Sequence, residues 1–98
     1  MKAVIFGVGR MGTAIAYAME RQGYDVVGVD SQPAEHRLRG LVKKYKFVHT
    51  KTKTGYKKVI NDNPDVVISS LPYHQTKQIA EYCISKGVRY CDLGGRVD

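Results

Sequence analysis

Three glycines and one acidic residue carry most of the chemistry that can be read from this chain: Gly7, Gly9 and Gly12 in GVGRMG, and Asp30 eighteen residues beyond the last glycine. Set between a strand and a helix, glycines at this spacing permit a tight turn at Gly7, close approach of an anionic diphosphate to the backbone at Gly9, and close helix packing at Gly12. The start of the following helix adds unpaired N–H donors and a partial positive charge. Asp30 can accept hydrogen bonds from ribose hydroxyls. Together these features point to a dinucleotide. NAD is favoured over NADP, because a 2′-phosphate would meet the Asp30 carboxylate as a like charge. The opposing signal is Ser31, His36, Arg37 and Arg39, where an arginine just beyond the strand would hold that phosphate.

The next candidate segment is Ser70-Leu71-Pro72-Tyr73-His74, where Ser70 or Tyr73 would line a cofactor groove and His74 would begin a helix rather than act in catalysis. No residue stands out as catalytic. Cys83 and Cys91 are too few and too far apart for a disulfide framework or a four-ligand zinc site, and both are expected to be buried, reduced and inert. His36, His49 and His74 fall at no metal-ligand spacing with them, so no metal is expected.

These residues need elements to position them. Lys2 to Phe6 (KAVIF) is a short apolar run of the kind buried on both faces of a parallel sheet. Met11, Ala14, Ile15, Ala18 and Met19 recur at helical spacing, and Gly23 closes that helix. A second strand runs from Tyr24 to Val29 and ends on Asp30. A second helix begins at Ala34, with Leu38, Leu41, Val42 and Tyr45 on its apolar face. Lys46 to His49 reads as a third strand, Thr54 to Asn61 as a short helix, and Asp65 to Ser69 as a fourth strand. The last pair is a helix from His74 to Lys86, with Ile79/Cys83 and Ala80/Ile84 four apart, and a strand from Val88 to Leu93. Strands alternating with helices through short turns predict an α/β fold: a doubly wound parallel sheet of about five strands, order 3-2-1-4-5, helices on both faces.

With 98 residues, 43% hydrophobic and 26% charged, the chain is expected to form a single domain over residues 1–98 with one modest core. The N-terminal apolar run is too short for a signal peptide or a membrane span, so a cytoplasmic location is expected. The net charge of +7 is local: residues 37–58 hold nine basic residues and no acidic one, whereas the flanking segments are each net −1. Such a run is most simply a solvated surface. It lacks the interleaved aromatics or helix-turn-helix pattern of a nucleic-acid interface, so nucleic acid is not the expected partner.

Taken together, VIFGVGRMGTAIA, DVVISSLPYH and GVRYCDLGG resemble the N-terminal dinucleotide-binding domain of the saccharopine dehydrogenase and lysine 6-dehydrogenase family, over essentially the whole chain. The resemblance implies NAD or NADP binding by Gly7, Gly9, Arg10, Met11, Asp30, Ser70, Leu71 and Pro72, with Asp92 to Gly95 near the nicotinamide end. It also implies an oxidoreductase acting on a lysine-derived or similar amino acid, inactive without a further substrate domain. A regulatory nucleotide sensor, of the type found in potassium-uptake systems, opens with the same glycine pattern and is the alternative. Self-association is a further expectation, because five strands leave two open sheet edges.

Overall fold

A computed structural model describes residues 1–50 and 53–92 of the chain. The apolar run KAVIF forms β1 (Lys2–Phe6), and Ala3 to Phe6 are all buried because both faces of the strand are covered. There follow α1 (Arg10–Arg21), β2 (Asp25–Asp30), α2 (Glu35–Arg39), β3 (Tyr45–His49), α3 (Lys53–Asn61), β4 (Val66–Ser69), α4 (Tyr73–Lys86) and β5 (Arg89–Asp92). All strand pairs are parallel, and their order is β3-β2-β1-β4-β5, as the alternation of elements predicts.

The central strands divide their side chains between two cores. Val4, Phe6, Val27, Val29 and Val67 pack with Ile60 of α3 and with Ile79 and Cys83 of α4. Ile5 and Val26 face the other way, onto Ala16 of α1 and onto Val8, Ala34, Leu38 and Val42. Helices α1 and α4 therefore leave the sheet on opposite faces from the neighbouring strands β1 and β4. The strand order reverses between β1 and β4, and in a doubly wound sheet the carboxyl ends of the strands at such a reversal are where a ligand crevice is expected.

Several local expectations are corrected by this packing. The buried face of α1 is Gly12, Thr13 and Ala16, flanked by half-buried Ile15 and Met19, whereas Met11, Ala14 and Ala18 point to solvent. The apolar period holds but its phase is shifted by one residue, because Gly12 lies against the Gly7 carbonyl. Helix α2 stops at Arg39, leaving Leu41 exposed and Tyr45 free to begin β3. Ile84 lies on the outer face of α4 at 74% exposure. Cys83 is buried as expected, but Cys91 is exposed because β5 is an edge strand. Leu93, placed in the last strand by its sequence, lies outside the described residues.

Candidate functional site

The turn between β1 and α1 is built around two glycines that the fold itself demands. Gly7 has φ of +88°, a left-handed conformation in which a side chain would be strained, and its N–H donates to the Val29 carbonyl at 2.8 Å. Gly12 is required by contact: a Cβ there would stand 1.7 Å from the Gly7 carbonyl oxygen. The first turn of α1 thus rests directly on the turn that precedes it.

Gly9 is different. It caps α1 in an extended conformation, and a Cβ at Gly9 would meet nothing within 4 Å. Neither packing nor backbone strain within the protein calls for glycine there. Thr13 N–H donates to Gly9 O at 2.9 Å, so the N–H groups of Arg10, Met11 and Gly12 precede the first intrahelical bond, and no side chain caps them. The helix start is thus uncapped beside an open glycine, with Arg10 and Met11 both exposed, an arrangement whose N–H donors and dipole can hold an anion.

The Asp30 carboxylate stands at the end of β2 and is half-buried. Its Oδ2 accepts the Val8 N–H at 2.7 Å, and its Oδ1 accepts the Gln32 N–H at 3.0 Å. Val8 is gripped from its other side as well, because Arg37 Nη1 donates to its carbonyl at 3.0 Å. Arg37 therefore reaches back from α2 across the glycine turn, while Arg39 pairs with Glu35 and His36 is exposed. Exposed Ser31 follows Asp30, and its carbonyl meets His49 Nε2 at 3.0 Å. Each carboxylate oxygen of Asp30 retains a second lone pair for a ligand hydroxyl.

The opposite wall is the loop after β4. Ser70 Oγ donates to the Gly7 carbonyl at 2.7 Å and also lies 3.2 Å from that of Phe6, so this hydroxyl ties the two loops together rather than facing the groove. Leu71 sits against Gly7, and Pro72 caps α4. Behind them is a polar network that the sequence did not reveal. The hydroxyls of Ser69 and Thr76 lie 2.8 Å apart, Thr76 Oγ1 also donates to Leu71 O at 3.1 Å, and Leu71 N–H reaches Ser69 Oγ at 3.3 Å. Tyr90 adds its hydroxyl at 3.4 Å from Thr76 O, and burial pushes its phenol above the usual tyrosine range despite these hydrogen bonds. The loop is held from beneath.

Gly7, Gly9, Arg10, Met11 and Gly12 thus share one turn, with Ser70 and Leu71 packed against its Gly7 end, Pro72 following them, and Asp30 with the adjoining Ser31 tied to it through Val8. Asp92 ends β5, paired in register with Ser69. Leu93 to Gly95 and the Tyr73 and His74 side chains, also considered from sequence, lie outside the described residues. No group of His, Cys, Asp and Glu suited to a metal occurs among the described residues. Among these residues no helix is long and apolar enough to cross a membrane.

A parallel doubly wound sheet with a glycine turn, an uncapped helix start and a carboxylate ending β2 defines the class of dinucleotide-binding Rossmann domains. Within that class, the chain belongs to the family of saccharopine dehydrogenase NADP binding domains, which it matches over residues 3–97, and it binds NAD(P). Among other relatives, a Trk system potassium uptake protein, TrkA, of Streptomyces coelicolor is 45% identical over 40 residues, a stretch covering 41% of this chain and 18% of that protein. The fold is shared with a short-chain dehydrogenase/reductase superfamily protein from Agrobacterium tumefaciens with bound NAD, at a TM-score of 0.69 and 17% identity over 94% of this chain and 32% of that one. It is also shared with RSP in complex with β-NADH, at a TM-score of 0.66 and 21% identity, covering 98% and 47% of the two chains. The chain thus spans less than half the length of these three proteins.

Proposed function

We propose that this domain is the cofactor-holding part of an NAD(P)-dependent oxidoreductase that acts on a lysine-derived or similar amino acid. The observation that carries the reading is Gly9, a glycine with no reason within the protein, beside the uncapped N-terminus of α1. A diphosphate there would be held by the N–H groups of Arg10, Met11 and Gly12, with the Ser70-Leu71-Pro72 loop as the facing wall. Asp30 and the neighbouring Ser31 would receive the adenosine ribose. When bound, the cofactor supplies hydride chemistry at its nicotinamide. The residues named here bind and orient it, and substrate recognition belongs to further structure.

NAD is the preferred cofactor in this reading. The Asp30 carboxylate is already fixed by two N–H donors, so it cannot swing aside to admit a 2′-phosphate without breaking both bonds. Competitive titration of NAD against NADP tests this, with tighter NAD binding expected. Tighter NADP binding that survives Asp30→Ser and is lost in Arg37→Ala would reverse the assignment.

A second reading, a nucleotide-sensing regulatory domain without catalysis, is supported by the 45% identity to TrkA over 40 residues. The two readings part on turnover: dehydrogenation of an amino acid by the protein that carries this domain supports the first, and cofactor binding with no turnover supports the second.

A further inference from the structure

The basic run between residues 37 and 58 has no part in the dinucleotide crevice apart from Arg37. The fold gives much of the rest a common location. Lys44, Lys46 and Lys58 line a groove of about 1000 Å³ that runs beside β3 on the face carrying α3, with Val48 and Val59 among its apolar lining. None of the three has a carboxylate within ion-pair distance among the described residues. The groove also holds Asp25 and Asp62, but Asp62 is committed to Lys2 at 2.5 Å, and that bond, with Lys46 nearby, holds its carboxyl below the usual range.

β3 is also the outermost strand on its side, so its far edge is unpaired among the described residues. Thr50 N–H turns inward to Asp30 O, and by the alternation of the ladder Tyr45, Phe47 and His49 turn their N–H and C=O groups outward. Side chains alternate too. Lys46 and Val48 stand on the groove face, opposite Val27 and Val29 in register, while half-buried Tyr45 and Phe47 stand on the other.

We propose that the β3 edge is a docking site for an extended acidic segment of a partner protein, added as a sixth strand. Its backbone would pair with the outward groups of Tyr45, Phe47 and His49. Alternate carboxylates would lie beside Lys44 and Lys46 on the groove face, and the intervening apolar side chains would cover Tyr45 and Phe47. The same lysines reject a second copy of this chain, whose β3 would bring ammonium groups against ammonium groups. Lysine on this edge thus selects the partner by charge as well as preventing self-pairing.

A peptide of about nine residues alternating glutamate with valine, long enough for one strand, is titrated into the intact chain while amide shifts are followed by NMR. Saturable shifts centred on Tyr45, Phe47 and His49, weakened by added salt, are expected. The counterpart with lysine in place of glutamate should bind at least about tenfold more weakly. Lys44→Glu/Lys46→Glu should reverse that preference and leave NADH binding unchanged, and Lys58→Glu alone should weaken the acidic peptide if the double variant fails to fold. Equal binding of the two peptides, shifts away from β3, or a single-stranded oligonucleotide displacing the acidic peptide from the same lysines would overturn the proposal.

Discussion

The Asp30 carboxylate and the Val8 N–H are joined by a 2.7 Å hydrogen bond that crosses from the end of β2 to the turn after β1. The side chain proposed to accept ribose hydroxyls is therefore also a structural tie on the glycine turn. Its two duties separate by substitution. Asp30→Ala should lower stability by about 1–3 kcal/mol, the cost of an orphaned, partly buried donor, and weaken NAD binding. Asp30→Asn keeps its one acceptor for Val8 but turns an NH2 toward the Gln32 N–H, so it should retain more stability than Asp30→Ala though less than wild type, while removing the charge that opposes a 2′-phosphate. Denaturant unfolding with parallel NAD and NADP titrations distinguishes these outcomes, and equal destabilisation by both variants would separate Asp30 from the turn.

Gly9 and Gly12 should respond oppositely to one added methyl group. In Gly12→Ala the new Cβ would collide with the Gly7 carbonyl, and a loss on the order of 3 kcal/mol or outright failure to fold is expected. Gly9→Ala meets open space and should leave the melting temperature within a few degrees of wild type while weakening the cofactor. Thermal melts of the two variants settle the comparison, and a destabilised Gly9→Ala would show that the turn has a packing demand of its own there.

Thr76 is expected to act on the crevice without facing it. Thr76→Val removes the partner of the buried Ser69 hydroxyl and the donor to Leu71 O, costing about 1–2 kcal/mol. Cofactor affinity should fall with it, because the Ser70-Leu71-Pro72 loop loses its support. Thr76→Ser should restore both quantities. A Thr76→Val variant with undiminished affinity would show that the loop is positioned by Ser70 alone.

The two thiols should differ in reactivity. Burial pushes the Cys83 thiol up to about 11 from 9.0, so it stays protonated and shielded near neutral pH, whereas Cys91 is exposed on β5. Alkylation of the folded chain at pH 8 should modify Cys91 first and reach Cys83 only on unfolding. Because the native pKa lies above the unfolded one, the contribution of Cys83 to stability is present below about pH 9 and is lost as pH rises through about 11. Equal labelling rates for the two cysteines would contradict the burial of Cys83.

The fold was legible because its central strands β1, β2 and β4 are short apolar runs, largely buried, which leave a strong signal, and because the βα alternation allows few strand orders. The glycine turn was legible for a related reason: the positive φ at Gly7 and the close packing at Gly12 restrict residue type at fixed spacing, and Asp30 stands at the end of β2 as that spacing predicts. Other features leave no such trace. The phase of α1 depends on Gly12 lying against Gly7, and a glycine carries no hydropathy to mark the buried face. Leu41 and Ile84 are apolar residues that face solvent, so periodicity placed them wrongly. The Val8 grip by Asp30 and Arg37 uses backbone atoms present at every position, and the Ser69–Thr76 pair looks like two ordinary polar residues until the fold buries them.

The most direct test of the account is a calorimetric titration of NADH into the wild-type chain and into Gly9→Val. Saturable binding to wild type and none to Gly9→Val is expected, with both proteins unfolding cooperatively at similar temperatures, because the Cβ added at Gly9 meets nothing within 4 Å in the protein and the side chain would stand where the proposed diphosphate approaches. Equal affinity of the two proteins for NADH would contradict it.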